Sequence, residues 1–305
     1  MNDIFKIETI SQLNEILNQP KAKNPLISVI DFSQMQNFSN SHHSKITSSF
    51  YIIMLKSQCH GTLKYGRQYY DFQEGTLVFM APDQVMAVEE MEDSEIPQEI
   101  SGWGLFFHPD LIRGTTLANK MKDYSFFSYD TNEALHLSDK EKQTLSAIIS
   151  QIETELELNI DKHSKTLIAS NIELLLNYCT RFYDRQFITR VNSNKDVLSR
   201  FETVLNNYFT ADLQQEKGLP TVKFCAQQLN LSANYLSDLL KKETGKNAQD
   251  HIHSKVIDTA KNMLLSTNES VSQIAYQLGF EYPQYFSKVF KKKTRQSPAA
   301  YRNMA

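Results

Sequence analysis

Two short segments near the C-terminal end carry the side chains best suited to recognising another molecule. They span residues 232–243 and 283–293. Amide side chains such as those of Asn234 and Gln284 can make two hydrogen bonds to an adenine edge in the major groove of DNA. We therefore expect base contacts from nine residues, namely Ala233, Asn234, Ser237, Asp238, Tyr282, Pro283, Gln284, Ser287 and Lys288.

Lysines follow these polar residues one turn later in each segment. Ammonium groups there would meet phosphates, which contributes affinity without sequence preference. The expected phosphate contacts are Lys241, Lys242, Lys291, Lys292 and Lys293. Asp238 is unusual beside a polyanion. It could accept a hydrogen bond from a cytosine amine or orient a neighbouring side chain, and the sequence leaves both alternatives open.

These segments belong to an internal repeat. Residues Val222–Leu229 correspond to Val271–Leu278 at an offset of 49, and Tyr235–Thr244 corresponds to Tyr285–Thr294 at an offset of 50. The offset changes by one residue only between the two matching stretches, where a turn can vary in length. A repeat that preserves apolar positions and varies at a turn indicates one structural unit used twice.

Each repeat predicts two helices joined by a tight turn. In the first repeat, the first helix begins after Thr221. In the second repeat it begins at Ser270, which forms a capping box with Gln273. Asn230 and Gly279 follow these helices, and both residue types tolerate the positive φ that a tight turn needs. The pattern is that of a helix-turn-helix unit.

The second helix of each repeat has a predictable inner face. In the first repeat this helix begins at the N-cap Ser232. In the second it begins at Pro283, a residue type that suits the first helical position. Leu231 and Phe280 are expected to fill the space between the helices. The inner positions are Leu236, Leu239 and Leu240 in the first unit and Phe286, Val289 and Phe290 in the second.

The charge distribution separates the two ends of the chain. From Lys195 onward there are 15 Lys and Arg against 10 Asp and Glu, whereas residues 1–194 have 17 against 25. A net charge of +5 therefore follows a part with a net charge of −8, which favours a polyanion partner for the C-terminal part alone. The cysteines Cys59, Cys179 and Cys225 are odd in number and widely spaced, which is typical of a reducing compartment.

The N-terminal part predicts short strands followed by a helical pair. Several short strands at this spacing favour a barrel or a sandwich. The predicted strands are Leu26–Phe32, Phe50–Leu55, Gly61–Tyr65, Thr76–Met80 and Gly102–Phe107. A capping box at Ser138 and Glu141 starts the first helix, and a second helix covers about 164–183. The expected fold class is α+β.

The predicted domains follow from these patterns. We expect residues 1–185 to form one domain whose helical pair spans 138–184, residues 186–195 to form a polar linker, and residues 196–305 to form a domain with the two helix-turn-helix units. The chain of 305 residues is long enough for two separate hydrophobic cores.

The C-terminal part resembles the DNA-binding domain of AraC/XylS-type transcriptional regulators over about Asp196–Arg302. The most specific stretches are Ile274–Thr294, Ser297–Arg302 and Leu231–Gly245. The resemblance implies a long connecting helix over Asp250–Leu265, with Val256, Ala260, Met263 and Leu264 inward, that holds two recognition helices about 34 Å apart.

This sequence departs from the family pattern at two positions that bear on DNA contacts. Lys255 stands where the family often has Arg, and Asp238 stands where a basic residue is common. These departures affect the base contacts and leave the fold unchanged. The segments Gly75–Pro82 and Trp103–Pro109 resemble the cupin-like sensor domain of the same regulators. The family resemblance implies a sensor and dimerisation role for the domain of residues 1–185 and DNA binding for that of residues 196–305.

A cupin-like domain raises the alternative of a metalloenzyme with a helical appendage. The histidines do not support it, because His42 and His43 are adjacent and would face opposite sides of a strand. His251 and His253 lie two apart on a predicted helix and do not share a face. Three other histidines, His60, His108 and His136, are scattered. We expect no metal, no cofactor and no enzymatic activity.

The sequence therefore predicts an effector-responsive transcriptional regulator. The expected partners are double-stranded promoter DNA, a small-molecule effector, a second copy of the chain and, for an activator, RNA polymerase. No apolar run is long enough to span a bilayer and no signal peptide is evident, so we expect a cytoplasmic protein.

Overall fold

The computed structural model describes residues 4–34, 45–58, 62–65, 68–71, 75–87, 101–130, 133–189 and 191–303. The chain forms two compact units, Met1–Ile188 and Thr189–Ala305. The first unit combines strands and helices, and the described part of the second is helical. The mixed α+β class expected from the sequence is confirmed.

The strands of the N-terminal unit form two sheets. In chain order they are β1 (Phe5–Ile7), β2 (Ile27–Asp31), β3 (Lys45–Ser48), β4 (Tyr51–Gln58), β5 (Thr62–Tyr65), β6 (Gln68–Asp71), β7 (Thr76–Met80), β8 (Val85–Ala87), β9 (Ser101–Phe107) and β10 (Leu135–His136). One sheet has the order β1-β3-β8-β5-β6 and the other β10-β7-β4-β9-β2. All described pairings are antiparallel except that of β1 with β3.

The core between the two sheets contains side chains from both. Ile46 of β3 lies in the same buried cluster as Ile52, Met80 and Phe106 of the other sheet. Gly104 lies beneath this layer, where a β-carbon would come within 2.6 Å of the Phe106 ring, so only glycine fits. The sheets thus meet through side chains, as in a sandwich.

The expected cupin-like closed barrel is not confirmed. Among the described strands, no backbone pairing joins one sheet to the other. The physical reason is that apolar runs of strand length predict strands but do not fix how the sheet edges pair. β7 is buried at all five positions and β9 at its last five, and such runs are equally compatible with a sandwich and with a barrel.

The described part of the N-terminal unit also contains five α-helices. They are α1 (Ile10–Ile16), α2 (Pro109–Ile112), α3 (Thr116–Lys120), α4 (Asp139–Glu157) and α5 (Ser164–Thr189). The predicted capping box of Ser138 and Glu141 at the start of α4 is present. Arg185 of α5 donates to Glu141 at 2.7 Å, which joins the C-terminal part of α5 to the start of α4. The Phe79 ring of β7 lies 6.1 Å from that of Tyr183, so α5 packs on the outer face of its sheet.

The C-terminal unit is built from eight described helices. They are α6 (Val191–Thr210), α7 (Leu213–Lys217), α8 (Val222–Leu229), α9 (Ala233–Thr244), α10 (Ala248–Ser266), α11 (Val271–Gln277), α12 (Pro283–Thr294) and α13 (Pro298–Arg302). Phe201, Leu205 and Tyr208 of α6 are buried.

The segment expected to be a polar linker differs from that expectation. Residues 191–195 begin α6, and α5 extends to Thr189 instead of ending near 183. The unit boundary, between Ile188 and Thr189, falls within the predicted linker range, but it lies in the last turn of α5 and not in an extended polar run. Asn and Ser cost only about 0.5 kcal/mol each relative to Ala in a helix, which a long amphipathic helix can absorb.

Candidate nucleic-acid interface

The first helix-turn-helix unit consists of α8 and α9. Thr221 accepts a hydrogen bond from the Phe224 amide at 3.1 Å and caps α8. Asn230 then adopts the left-handed conformation with φ 57° and ψ 44°, and α8 ends there. Ser232 accepts from the Tyr235 amide at 3.2 Å and starts α9. The caps and the turn lie where the sequence predicted them.

The second unit repeats this construction with α11 and α12. The capping box of Ser270 and Gln273 is present, and Gly279 has a φ of +90°. The Phe280 amide donates to the Ala275 carbonyl at 3.0 Å, which matches the bond from Leu231 to Ala226 at 2.9 Å in the first unit. Pro283 occupies the first turn of α12, as expected.

The inner faces of α9 and α12 are buried. Every inner position expected from the sequence is at most 7% exposed, namely Leu236, Leu239, Leu240, Phe286, Val289 and Phe290. Tyr235 is buried as well and was missed, because a Tyr early in α9 looks like a surface residue by type alone. Leu231 is only half-buried, whereas its counterpart Phe280 is 3% exposed. The smaller Leu side chain therefore fills the gap between the helices less completely than Phe.

The expected base-reading residues lie on the opposite side of each second helix. Asn234, Tyr282, Gln284 and Lys288 are exposed. The others, which are Ala233, Ser237, Asp238, Pro283 and Ser287, are half-buried. Small half-buried residues between exposed polar ones leave the backbone of the first turn close to the surface. This arrangement would allow the start of a helix to approach base edges.

The predicted phosphate-contacting lysines fall into two groups. Lys241, Lys242, Lys291 and Lys292 are exposed. Lys293 instead forms an ion pair in which its Nζ lies 2.9 Å from Asp250 Oδ1. The hydrogen bond from Lys293 holds the pKa of the Asp250 carboxyl below its usual range. Lys293 therefore already has an anionic partner within the protein, and its contact with a phosphate stays a prediction.

Helix α10 connects the two units. It runs from Ala248 to Ser266, slightly longer than predicted, and Asn247 caps it by accepting from the Asp250 amide at 2.8 Å. Its buried residues, which face α9, α11, α12 and α13, are Ala248, Ile252, Val256, Ile257, Ala260 and Leu264. Met263 was expected to be inward but is half-buried. Arg302 of α13 donates to the Leu264 carbonyl at 3.0 Å near the other end of the helix.

Exposed tyrosines around α12 were not fully anticipated. Tyr276, Tyr282 and Tyr285 are 57%, 59% and 50% exposed. The Glu281 side chain hydrogen bonds Tyr282, and this raises the pKa of the phenol. Only Tyr282 was singled out from the sequence, because tyrosine is amphipathic and its position in the repeat does not reveal whether the ring is inside or outside.

Several histidines of the described residues make contacts with neighbouring side chains or backbone. His251 Nε2 lies 2.7 Å from Thr244 Oγ1, and His253 Nε2 lies 3.0 Å from Gln249 Nε2. His108 accepts from the Asp110 amide at 3.2 Å and caps α2. Among the described residues, no group of three or more His, Cys, Asp or Glu side chains could hold a metal ion. His136 Nδ1 lies 3.5 Å from Thr76 Oγ1, whereas His42, His43 and His60 lie outside the described residues.

Two further features bear on the chemistry of the chain. Cys179 and Cys225 are free thiols and are fully buried, and burial raises the pKa of Cys225 to about 11. Cys59 lies outside the described residues. Within the described ranges, every helix is too short or too polar to cross a bilayer.

Comparison with known proteins supports a helix-turn-helix assignment for the C-terminal compact unit. A helix-turn-helix domain model matches residues 225–304. The C-terminal part of the chain is an AraC-type helix-turn-helix domain. The match covers most of α8 to α13 and includes both candidate recognition helices of the AraC-type domain.

Relatives of the AraC-type domain include regulators of Bacillus subtilis. The HTH-type transcriptional regulator YobQ is 35% identical over 83 residues, which are 27% of this chain and 34% of YobQ. The HTH-type regulator YfiF is 25% identical over 299 residues, which cover 96% of this chain and 88% of YfiF. The chain therefore spans only about a third of one relative and most of the other.

A solved structure resembles the AraC-type domain by sequence. The C-terminal domain of the two-component response regulator yesN from Fusobacterium nucleatum is 33% identical. The similarity covers 33% of this chain and 96% of that one, with a TM-score of 0.28.

Proposed function

We propose that the chain is a sequence-specific DNA-binding transcriptional regulator that reads two successive major-groove segments with α9 and α12. The observation that carries the proposal is the repeated placement of these helices. Each has an inner face buried in the C-terminal core, and each presents polar residues at its N-terminal turn. A helix in this position within a helix-turn-helix unit is the one that enters the major groove.

Base recognition would rest on the N-terminal turns. Asn234 and Gln284 are exposed, and each can pair with an adenine edge through two hydrogen bonds. Tyr282 and Lys288 are exposed at neighbouring positions and add a ring and a cation at the same surface. Ala233, Ser237, Asp238, Pro283 and Ser287 complete the expected contact set, with Asp238 either accepting from a cytosine amine or orienting a neighbour.

Affinity would come mainly from the lysines of α9 and α12. Lys241, Lys242, Lys291 and Lys292 lie towards the C-terminal ends of these helices and are exposed. Each phosphate that a lysine neutralises releases condensed counterions, so binding should weaken steeply with salt. The net charge of +5 from Lys195 onward supports this electrostatic contribution.

The N-terminal unit is proposed to regulate the DNA-binding unit. It has its own core and surface clefts, one of about 570 Å³ between β2 and α4 and one of about 580 Å³ between α4 and α5. Clefts of this size are large enough for a small-molecule effector. A second copy of the chain and RNA polymerase are the other proposed partners, and the proposed site of action is the cytoplasm.

A selection experiment with the full chain tests the proposal. A pool of random DNA duplexes is enriched for sequences that bind the protein. Fluorescence anisotropy then compares the affinity of the protein for the selected duplex with its affinity for a scrambled duplex of equal composition. The selected duplex should bind about 1,000-fold or more tightly than the scrambled one, because specific sites exceed non-specific ones by at least this factor. Equal affinity for both duplexes at every salt concentration would contradict the proposal.

A further inference from the structure

Two adjacent residues at the start of α10 contact different recognition helices. Asp250 Oδ1 lies 2.9 Å from Lys293 Nζ in the last turn of α12. His251 Nε2 lies 2.7 Å from Thr244 Oγ1 in the last turn of α9. The C-terminal ends of both recognition helices are therefore held by neighbouring positions of one helix, which we call the α10 bracket (Asp250 and His251).

The contact on α9 extends into the backbone. Thr244 Oγ1 lies 2.8 Å from the Leu240 carbonyl oxygen and donates to it. The Lys246 amide donates to the same hydroxyl oxygen at 3.2 Å. With the hydroxyl proton directed to Leu240, the His251 tautomer that completes the contact is the one protonated at Nε2, which donates to Thr244 Oγ1. The imidazole is also fixed from α6, because the Phe201 ring lies 6.0 Å away at an interplanar angle of 83°. His251 is thus held in one orientation.

The contact on α12 differs in character because it crosses between the two repeats. Asp250 precedes the second helix-turn-helix unit in the chain, and its partner Lys293 lies 43 residues later, in that unit. The side chains are 43% and 27% exposed, and half-exposed ion pairs contribute little to stability. Such a pair nevertheless restricts where the end of α12 can lie relative to α10, which is a matter of geometry more than of folding energy.

The repeat itself shows that the bracket is not a general feature of the helix-turn-helix unit. At the offset of 50, the positions equivalent to Asp250 and His251 are Ala300 and Tyr301. Thr294, the counterpart of Thr244, makes the same bond to the backbone, since its Oγ1 lies 2.8 Å from the Phe290 carbonyl. The threonine cap therefore occurs in both units, whereas the Asp-His pair occurs only between them.

We propose that Asp250 and His251 are positioning residues that set the separation and angle of α9 and α12, so that both helices enter DNA at one fixed spacing. The inference rests on the proposed function and deepens it. When α9 and α12 are held rigidly, binding of one helix to its DNA segment places the other helix next to the second segment. The second contact then occurs at high effective concentration, which raises the affinity for the two-segment site. Loosening the bracket lowers this advantage and leaves each single contact intact.

The test compares Asp250→Asn in the full chain with Asp258→Asn as a matched control. Asp258 also lies on α10, but its ion pair with Lys261 is within the same helix. The probes are the selected duplex, the same duplex with one or five base pairs inserted between its two segments, and a duplex in which one segment is scrambled. Lys293→Met and the double variant complete a cycle that isolates the pair.

We expect Asp250→Asn to weaken binding to the two-segment duplex by about 10-fold, which corresponds to about 1.4 kcal/mol. Affinity for the single-segment duplex should not fall, because Lys293 is released to face DNA. The penalty for one inserted base pair should shrink, and Asp258→Asn should change none of these values. In the Lys293→Met background the Asp250 substitution should have no further effect. An equal loss on both duplexes, or an unchanged spacing penalty, would overturn the proposal.

A distance measurement without DNA separates this inference from the proposed function. Spin labels at Asn234→Cys and Gln284→Cys, in a Cys59→Ser background, report the α9–α12 distance by double electron–electron resonance. Asp250→Asn and His251→Gln should each broaden the distance distribution, whereas Asp258→Asn should not. Sequence preference for DNA is measured on the unlabelled protein, which keeps Asn234 and Gln284. Broadening in the labelled protein, together with no sequence preference in the unlabelled one, would reject the proposed function and keep the bracket. A distribution unchanged by both variants would reject the bracket even if DNA binding is specific.

Discussion

Gly279 lies directly against the backbone of Gly218. A β-carbon at Gly279 would be 2.8 Å from the Gly218 carbonyl carbon and 2.8 Å from the Gln214 carbonyl oxygen. The turn of the second helix-turn-helix unit therefore packs on the segment that precedes α8 of the first. The φ of +90° at the same residue adds a second reason for glycine, because other residues rarely adopt this conformation.

The substitution Gly279→Ala is expected to destabilise the C-terminal unit by about 3 kcal/mol, since it combines backbone strain with overpacking against backbone atoms. Gly245→Ala is the matched control, because Gly245 has a φ of +74° but a β-carbon added there would have no atom within 4 Å. It should cost about 1–2 kcal/mol from the left-handed conformation alone.

Urea unfolding of the full chain measures both glycine variants. Circular dichroism at 222 nm follows all helices, whereas the fluorescence of Trp103, the single tryptophan, follows the N-terminal unit. The variants should shift the helical transition and leave the Trp103 transition in place. Equal costs for the two substitutions would show that the close approach to Gly218 does not matter.

Replacing Gln284 by Ala should cost about 1–3 kcal/mol at one base pair of the selected site and relax the preference there. The reason is the loss of an exposed amide from the first turn of α12. Anisotropy titrations with duplexes that vary one position at a time measure the effect. Gln215→Ala, an exposed amide in α7, is the control and should leave every position unchanged. A uniform loss over all duplexes would argue against base reading by Gln284.

The lysines Lys291 and Lys292 should act on all duplexes alike. Each phosphate contact contributes about 0.9 to the slope of log K against log salt, so Lys291→Met with Lys292→Met should reduce the slope by about 1.8. The slope is obtained from titrations between low and physiological salt. Lys140→Met, at an exposed position in α4, should not alter it. An unaltered slope in the double variant would show that Lys291 and Lys292 do not contact DNA phosphates.

Acidification should destabilise the C-terminal unit. Burial lowers the pKa values of His251 and His253 below 6.5, with nearby Lys246 and Lys293 acting in the same direction and Asp250 and Glu202 opposing them. The folded unit therefore binds fewer protons than the unfolded one in the window below pH 6.5. Its stability is complete above that pH and decreases as pH falls through the lowered pKa values.

Urea unfolding at pH 7.5, 6.5 and 5.5 measures this dependence. His251→Gln combined with His253→Gln should flatten it, whereas His163→Gln in the loop between α4 and α5 should not. A pH dependence that persists in the double variant would assign the effect to other groups.

Much of the C-terminal domain followed from the sequence by itself. The repeat offsets located the turns at Asn230 and Gly279, and capping residues such as Ser232 and Ser270 located the helix starts. These are local features, because a cap and a left-handed turn depend on a few neighbouring residues. Apolar spacing then assigned the inner faces of α9 and α12, and the outward residues followed by exclusion.

Other features were decided only by the tertiary structure. The sequence predicted segments that match five of the ten described strands and missed β1, β3, β6, β8 and β10. It could not tell a sandwich from a closed barrel, because apolar runs do not specify which strand edges pair. It also did not reveal that Lys293, whose phosphate contact stays a prediction, pairs with Asp250, because nothing local shows that a residue 43 positions away in the chain lies 2.9 Å from it. Caps and turns are determined by adjacent residues, whereas ion pairs and sheet edges depend on where distant segments meet.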